Sequence, residues 1–435
     1  MTTSGPITER RYVAPLILVT TLFFLWALGV NLNDVLIPHL KKVFDLNDFQ
    51  SALIQVAFFG GYCLSALPAG RLLERIGYKN GIVVGLLTCA AGALLFIPAA
   101  SIQVYGLFLF ASFVMACGQG VLEVAANPYV TLLGPVDSSE RRLNLAQSFN
   151  AVGAVVTPFI GAAFILSALE YSREQLTTMT PAEMTLYRTA VVSTVRTPYL
   201  VIAGLFLAYA AVIFLSQLPE VGAADGAVKQ ESTGEELRDI WRYSHLVKGV
   251  IAQFFYVGAQ IGVGSFVIRL AQHSIPGMPQ KDASFYLKLH LIGFMLGRFS
   301  GSYIMKRVPA ARLLSLFALS TLIGLLVVLL GSGVAPLWAV VLIGFFHSIM
   351  FPTIFALSIK QLGRYTKLGS SLLVASILGG AICPAIMGFI SDHSNIRVAF
   401  IVPLICQAYV LYFAVRGYRP VLVEGSRAAE LSTLK

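Results

Sequence analysis

Residues 13–38 read VAPLILVTTLFFLWALGVNLNDVLIP, 26 residues holding a single charge, Asp34. An α-helix rises 1.5 Å per residue, so ~20 apolar residues cross the hydrocarbon core of a bilayer. This stretch is long enough to cross, and comparable stretches follow at about 50–72, 80–100, 104–132, 143–169 and 197–217. A second series lies at 247–269, 283–305, 311–331, 335–360, 367–390 and 398–416. Lipid tails cannot satisfy backbone polar groups, so runs of this length are read as helices that satisfy their own. The fold class predicted is an all-α membrane protein of twelve transmembrane helices.

Composition agrees. Hydrophobic residues make up 57 % of the 435 and charged residues 12 %, where a soluble domain carries about a quarter charged. Mean hydropathy is +0.78. The net charge of +10 is scattered in short basic groups between apolar runs, which argues against a nucleic-acid partner. Cys63, Cys89, Cys117, Cys383 and Cys406 fall inside apolar runs without metal-ligand spacing and read as small packed hydrophobes. The short polar start and long first apolar run predict no cleavable signal.

An even number of spans puts both termini on one side. Most Lys and Arg residues fall at the termini and in the loops on that side, among them Arg10, Arg11, Arg71, Arg75, Lys79, Arg141, Arg142, Lys306 and Arg307. The positive-inside rule makes that side cytoplasmic. A Gly-, Ala-, Glu- and Ser-rich linker, 219–246, separates a six-helix bundle over 1–218 from another over 247–435. The halves echo one another. Gly153 precedes Pro158 as Gly379 precedes Pro384, and Pro128 has a counterpart in Pro352. Two pseudo-symmetric bundles around a central cavity are the plainest arrangement of such a duplication.

Charge inside hydrocarbon costs ~2.5–3.5 kcal/mol on insertion scales, so a retained charge needs an account. Of the 21 acidic residues, only Asp34 and Glu123 sit well inside spans. Glu123 lies between Gln119 and Asn127 at helical spacing, on one polar stripe. Asn31 shares a helix face with Asp34, as Gln147 does with Asn150. Gln253, Tyr256 and Gln260 share a face in the second half. Amides offer donors and an acceptor together, which suits a hydroxyl-rich ligand, and Trp26 offers a flat apolar surface to a sugar ring. No basic residue matches the two acids at depth in that half, which argues against an anionic substrate.

A carboxylate in a weakly polar site takes up a proton readily, because desolvation disfavours its charge. Glu123, the deeper of the two, is the leading proton carrier. Asp34 is a second titrating group or an acceptor for a sugar hydroxyl. Both acids also admit a purely structural reading, and each amide is as readily an inter-helix contact. His290 and His347 read as packed histidines, and Arg298 as an anchor near the inner interface that could also reach a carboxylate.

The run Phe23-Phe24-Leu25-Trp26-Ala27 with Asn31-Leu32-Asn33-Asp34 resembles the first helix of the L-fucose/proton symporters. These form a branch of the major facilitator superfamily that includes glucose/galactose transporters. The resemblance continues at Leu122-Glu123-Val124-Ala125-Ala126-Asn127-Pro128, Arg142-Leu143-Asn144-Leu145-Ala146-Gln147, Tyr256-Val257-Gly258-Ala259-Gln260 and Lys367-Leu368-Gly369-Ser370-Ser371. It covers nearly the whole chain. It implies a proton-coupled sugar symporter working by alternating access, with Asp34 and Glu123 as essential carboxylates and Asn31, Gln147 and Asn150 lining the sugar cavity. Fucose-specific members carry a Trp where this chain has Gly264 and a Tyr where it has Phe351.

The expectation is therefore an importer of a neutral monosaccharide, L-fucose first and glucose or galactose next. The proton is the coupling ion and no cofactor is expected. The partners are sugar, protons and lipid, and the protein is expected to act as a monomer in a bacterial cytoplasmic membrane. A proton-driven exporter of an amphiphilic compound and a non-transporting sugar sensor are the competing readings. No nucleophile–base set or metal cluster points to an enzyme.

Overall fold

The computed structural model describes residues 6–44, 48–164, 180–220 and 238–420. The first half of the chain forms α1 (Val13–Val43), α2 (Asp48–Ile102), α3 (Tyr105–Leu132), α4 (Ser139–Phe164) and α5 (Pro181–Leu215). The second half forms α6 (Ser244–Ser274), α7 (Gln280–Ile304), α8 (Ala310–Leu330), α9 (Ala335–His347), α10 (Met350–Ser358), α11 (Thr366–Ala375) and α12 (Gly379–His393). The short α13 (Ile396–Ala399) and α14 (Ile401–Tyr412) follow. The secondary structure is helical throughout the described residues.

The twelve expected spans are recovered once three joins are understood. α2 contains two of them, separated at Gly77, whose φ of 75° is a left-handed conformation that glycine adopts without steric cost. α9 and α10 are one span interrupted at Ser348–Ile349. α11 and α12 are another, joined through a 3-10 turn at Ser376–Leu378. Nine helices among the described residues are long and apolar enough to cross a membrane. Their outward faces carry large apolar side chains such as Leu64, Leu215, Leu330 and Phe389, all strongly exposed. In water such surfaces would be a liability; against acyl chains they are the required contact.

Helix ends follow local chemistry. Thr180 and Glu183 form a reciprocal capping box with Pro181 at the first helical position, which satisfies orphan N–H groups of the first turn. Asn395 accepts from the N–H groups of Arg397 and Val398.

The helices group into two compact units. One comprises Ala14–Ala126 and Ala146–Pro219; the other comprises Met1–Val13, Asn127–Leu145 and Glu220–Lys435. Within each, glycines let helices approach to backbone contact. A Cβ at Gly61 would lie 2.7 Å from the Phe113 carbonyl, and one at Gly153 would lie 2.8 Å from that of Phe24. In the other unit Gly297 meets the Phe345 carbonyl and Gly379 that of Phe254. Phe254 thus stands to Gly379 as Phe24 stands to Gly153, so the repeat seen in sequence extends to a close helix crossing in each unit.

The turn at the start of α4 is fixed by Arg142, which is fully buried. Its guanidinium donates to the carbonyls of Val130 at 2.7 Å and Ile7 at 2.8 Å, to the Thr131 carbonyl and to Ser138 Oγ at 2.9 Å. The hydroxyl of Thr8 adds a bond to the Leu133 carbonyl at 2.5 Å. On the same turn, Glu140 pairs with Lys360 at 2.9 Å and the amide of Asn144 donates to Thr353 Oγ1 at 3.0 Å. These contacts lie within one unit, yet they join α4, from the first half of the sequence, to residues of the second.

Candidate functional site

The buried acid of the sequence reading is where the helix pattern puts it. Glu123 lies on α3, only 5 % exposed, with Gln119 fully buried one turn before it. Gln119 has no protein partner for either side-chain polar atom. Such an orphaned amide is costly unless a ligand or water completes it. A Cβ on Gly29 of α1 would lie 3.2 Å from Gln119 Nε2, so α1 presses onto this part of α3 through a residue with no side chain.

Trp26, one turn before Gly29, is buried, and its indole N–H donates to the Tyr62 hydroxyl at 3.2 Å. Its ring packs on Phe23, centroids 5.5 Å apart. Tyr62 belongs to the first part of α2, where it meets α3: a Cβ at Gly120 would lie 3.5 Å from the Tyr62 Cα. Glu123 follows Gly120 by three residues and therefore sits on the same side of α3. Spans one, two and four thus meet on the part of α3 that carries Gln119, Gly120 and Glu123.

The remaining residues expected at the site are placed as follows. Gln147 is buried on α4. Asn150 is half-buried and its amide donates to the Phe23 carbonyl of α1 at 3.3 Å, a packing bond made close to Trp26. The amide of Asn31 turns back to the Ala27 carbonyl of its own helix at 2.7 Å, which leaves its oxygen as the group to offer a ligand. Asp34 falls in α1, and its side chain lies outside the described residues. Gln260 is half-buried on α6, in the other unit.

That other unit carries its own buried polar atoms. Both polar atoms of Gln253 and both ring nitrogens of His347 are buried without a protein partner. Tyr256 donates from its hydroxyl to the His347 carbonyl at 2.8 Å. His290, as expected, is packed, with Nδ1 on the Val340 carbonyl at 2.8 Å. Of the two readings of Arg298, a wetted anchor is excluded by its burial, since it is 4 % exposed. Its Nε donates to the Ser348 carbonyl at 3.1 Å and its guanidinium lies over Phe294 at 4.6 Å. The reason is Pro352. A proline has no N–H for the carbonyl four residues earlier, so Ser348 lacks its helical donor and Arg298 supplies one. A Cβ at Gly264 would meet nothing within 4 Å, while Phe351 is buried against Tyr256 and Phe355.

Among the described residues no three His, Cys, Asp or Glu side chains cluster as metal ligands would, and all five cysteines are free thiols. The chemistry on offer is proton uptake by a buried carboxylate, hydrogen bonding by amides and contact with flat rings.

Tyr62 is the participant that sequence reading missed. It stands in an apolar run with Phe58 and Phe59, and no charge or spacing marks it. The one available signal was the glycine pair Gly61 and Gly120, which flags a close crossing of spans two and four.

Residues 19–373 match the Major Facilitator Superfamily. A glucose/galactose transporter of Brucella abortus biovar 1 (strain 9-941) is 43 % identical over 410 residues, 94 % of this chain and 95 % of that protein. An L-fucose-proton symporter of Escherichia coli (strain K12) is 42 % identical over 409 residues, 93 % of each. The crystal structure of the transporter FucP in the outward conformation superposes with a TM-score of 0.87 at 42 % identity, covering 93 % of this chain and 99 % of that one.

Proposed function

The chain belongs to the Major Facilitator Superfamily, and on that premise we propose that it imports a neutral monosaccharide together with protons, by alternating access. The observation that carries this reading is a buried carboxylate, Glu123, one turn along α3 from the unpartnered amide of Gln119, in the unit that also buries the bonded pair Trp26 and Tyr62. The described basic residues of that unit, Arg71, Arg75, Lys79 and Arg196, are exposed or half-buried. Desolvation of a buried carboxylate disfavours its ionised form, which makes the proton of Glu123 a natural coupling ion.

In this reading Glu123 carries the proton, with Asp34 as a second titrating group or a hydroxyl acceptor. Asn31, Gln147, Asn150, Trp26 and Gln260 contact the sugar. Bundles 1–218 and 247–435, joined by the cytoplasmic linker 219–246, exchange access between the two sides of a bacterial cytoplasmic membrane. Protonation removes the cost of carrying a bare charge through the occluded state, and the membrane potential drives the proton inward with ~2.3 kcal/mol per 100 mV.

L-fucose leads as the substrate, since a relative named for it aligns over nearly the whole chain. A specific feature favours the second reading, glucose or galactose. Gly264 leaves open space on α6, where fucose-specific members carry a tryptophan, and space there suits a hexose with a further hydroxyl. The test is a panel of sugars added to de-energised cells expressing the protein in unbuffered medium. The transported sugar alkalinises the medium as protons enter with it. If no sugar of the panel changes the external pH while uptake proceeds, symport is refuted.

A further inference from the structure

We propose that residues 6–8, ahead of α1, act as a strap on the turn between α3 and α4 and thereby favour one of the two access states. The inference rests on the alternating-access reading above. Hydrogen bonds tie the strap down at two adjacent residues. Arg142 Nη1 donates to the Ile7 carbonyl at 2.8 Å, Ser138 Oγ lies 3.3 Å from the same carbonyl, and Thr8 Oγ1 donates to the Leu133 carbonyl at 2.5 Å. The two backbones meet at Gly134. Its φ of 147° is a conformation that glycine adopts without steric cost, and a Cβ there would lie 3.0 Å from the Thr8 Cα. Ile7 and Thr8 are half-buried, so the strap lies on the protein.

The strapped turn leads straight into the residues that meet the second half of the sequence. The Ser139 hydroxyl donates to one carboxylate oxygen of Glu140 at 3.1 Å, and Lys360 takes the other at 2.9 Å. The Arg141 carbonyl accepts from Ser302 at 3.3 Å, and Asn144 donates to Thr353 Oγ1 at 3.0 Å. Strap, turn and these partners all belong to one compact unit. A turn pinned from its far side keeps Glu140, Arg141 and Asn144 in register, so little further ordering entropy is lost when they dock. With the strap loosened, the turn samples other geometries and docking has to fix it anew. The parted state makes none of these contacts and needs no fixed turn. Loosening the strap therefore weakens the docked state alone and shifts the balance toward the parted one.

The test uses two reporters in full-length protein otherwise free of cysteine, each labelled by a membrane-impermeant maleimide. Ser302→Cys is labelled from the side of the termini, and Gly264→Cys from the opposite side. Thr8→Val keeps the shape of the side chain and removes the hydroxyl. The loss of one hydrogen bond changes a two-state ratio by about fivefold, so position 302 should label about fivefold faster. Position 264 should label more slowly in the same variant, because a shift between access states is reciprocal. Thr8→Ser keeps the hydroxyl and should label at the parent rates. Ser138→Ala should act in the same direction as Thr8→Val, and it carries the test should that variant not fold. Faster labelling at 302 with an unchanged rate at 264 would mean that the strap guards only a local turn, and overturns the proposal. Unmoved rates in both Thr8→Val and Ser138→Ala, or equal effects of Thr8→Ser and Thr8→Val, overturn it too. Should Lys360→Met also leave both rates unmoved, the halves do not part here, and the alternating-access reading falls with the inference.

Discussion

Replacing Lys360 with Met tests whether the contacts at the start of α4 hold one conformation against another. The ammonium stands 2.9 Å from Glu140, whose side chain is 7 % exposed against 29 % for that of Lys360. A surface pair of this kind is worth about 0–1 kcal/mol, and breaking a fully buried one costs about 3–5 kcal/mol. With the acid buried and the base partly wet, about 2 kcal/mol is the reasonable value, a change of roughly thirtyfold in a two-state ratio. Glu140 belongs to the first of the two proposed bundles and Lys360 to the second, so in the proposed alternating-access cycle the pair parts. The cost of the substitution therefore falls on the conformation with the contact made. Ser302, whose hydroxyl donates to the Arg141 carbonyl at 3.3 Å, reports on the same interface. Introduced as Ser302→Cys in a protein stripped of its own cysteines, it should react with a membrane-impermeant maleimide, applied from the side of the termini, far faster in Lys360→Met. The exchange Glu140→Lys with Lys360→Glu should return the rate most of the way. Equal labelling rates with and without Lys360 would refute the reasoning.

Further expectations follow from the same geometry. Glu123→Gln should abolish accumulation of sugar against its gradient while leaving counterflow exchange in part; an unchanged accumulation ratio would remove Glu123 from the coupling step. Arg298→Met should lower thermal stability in detergent by about 1–3 kcal/mol, the cost of an unsatisfied buried carbonyl, at Ser348. Adding Pro352→Ala restores a backbone donor to that carbonyl and should recover part of the loss; strict additivity of the two changes would refute the pairing. Gly379→Val should destabilise more than Gly264→Val, because a Cβ at Gly379 collides with the Phe254 backbone and one at Gly264 meets open space. Melting temperatures of the two variants in the same detergent decide it.

The fold was legible because hydrocarbon is an unforgiving solvent: each span announces itself by length and by the charges it lacks. Glu123 was legible for the same reason, as a cost left unexplained. Tyr62 was not, since a tyrosine among phenylalanines satisfies an apolar pattern whether or not its hydroxyl is used. The bond from Arg298 to a carbonyl orphaned by Pro352 was not legible, because a sequence gives no register between distant helices. Asn150 and Asn31 show the ambiguity of amides directly. Both are engaged with backbone carbonyls here, and a pattern of polar residues cannot separate that use from ligand contact. The interruption at Ser348–Ile349 and the join at Gly77 also escaped a reading by hydropathy, which registers apolar length and not backbone conformation.

The arginine at the start of α4 bears on how the protein can be handled. One of its acceptors is the backbone of Ile7, so the leading residues act as mortar in a joint rather than as a loose tail. An affinity tag fused directly ahead of residue 6, or a truncation that begins past residue 8, would be spliced into that joint. A guanidinium left short of acceptors in a dry setting destabilises the fold, a loss of yield that sequencing would never reveal. Purification handles therefore belong at the other end of the sequence.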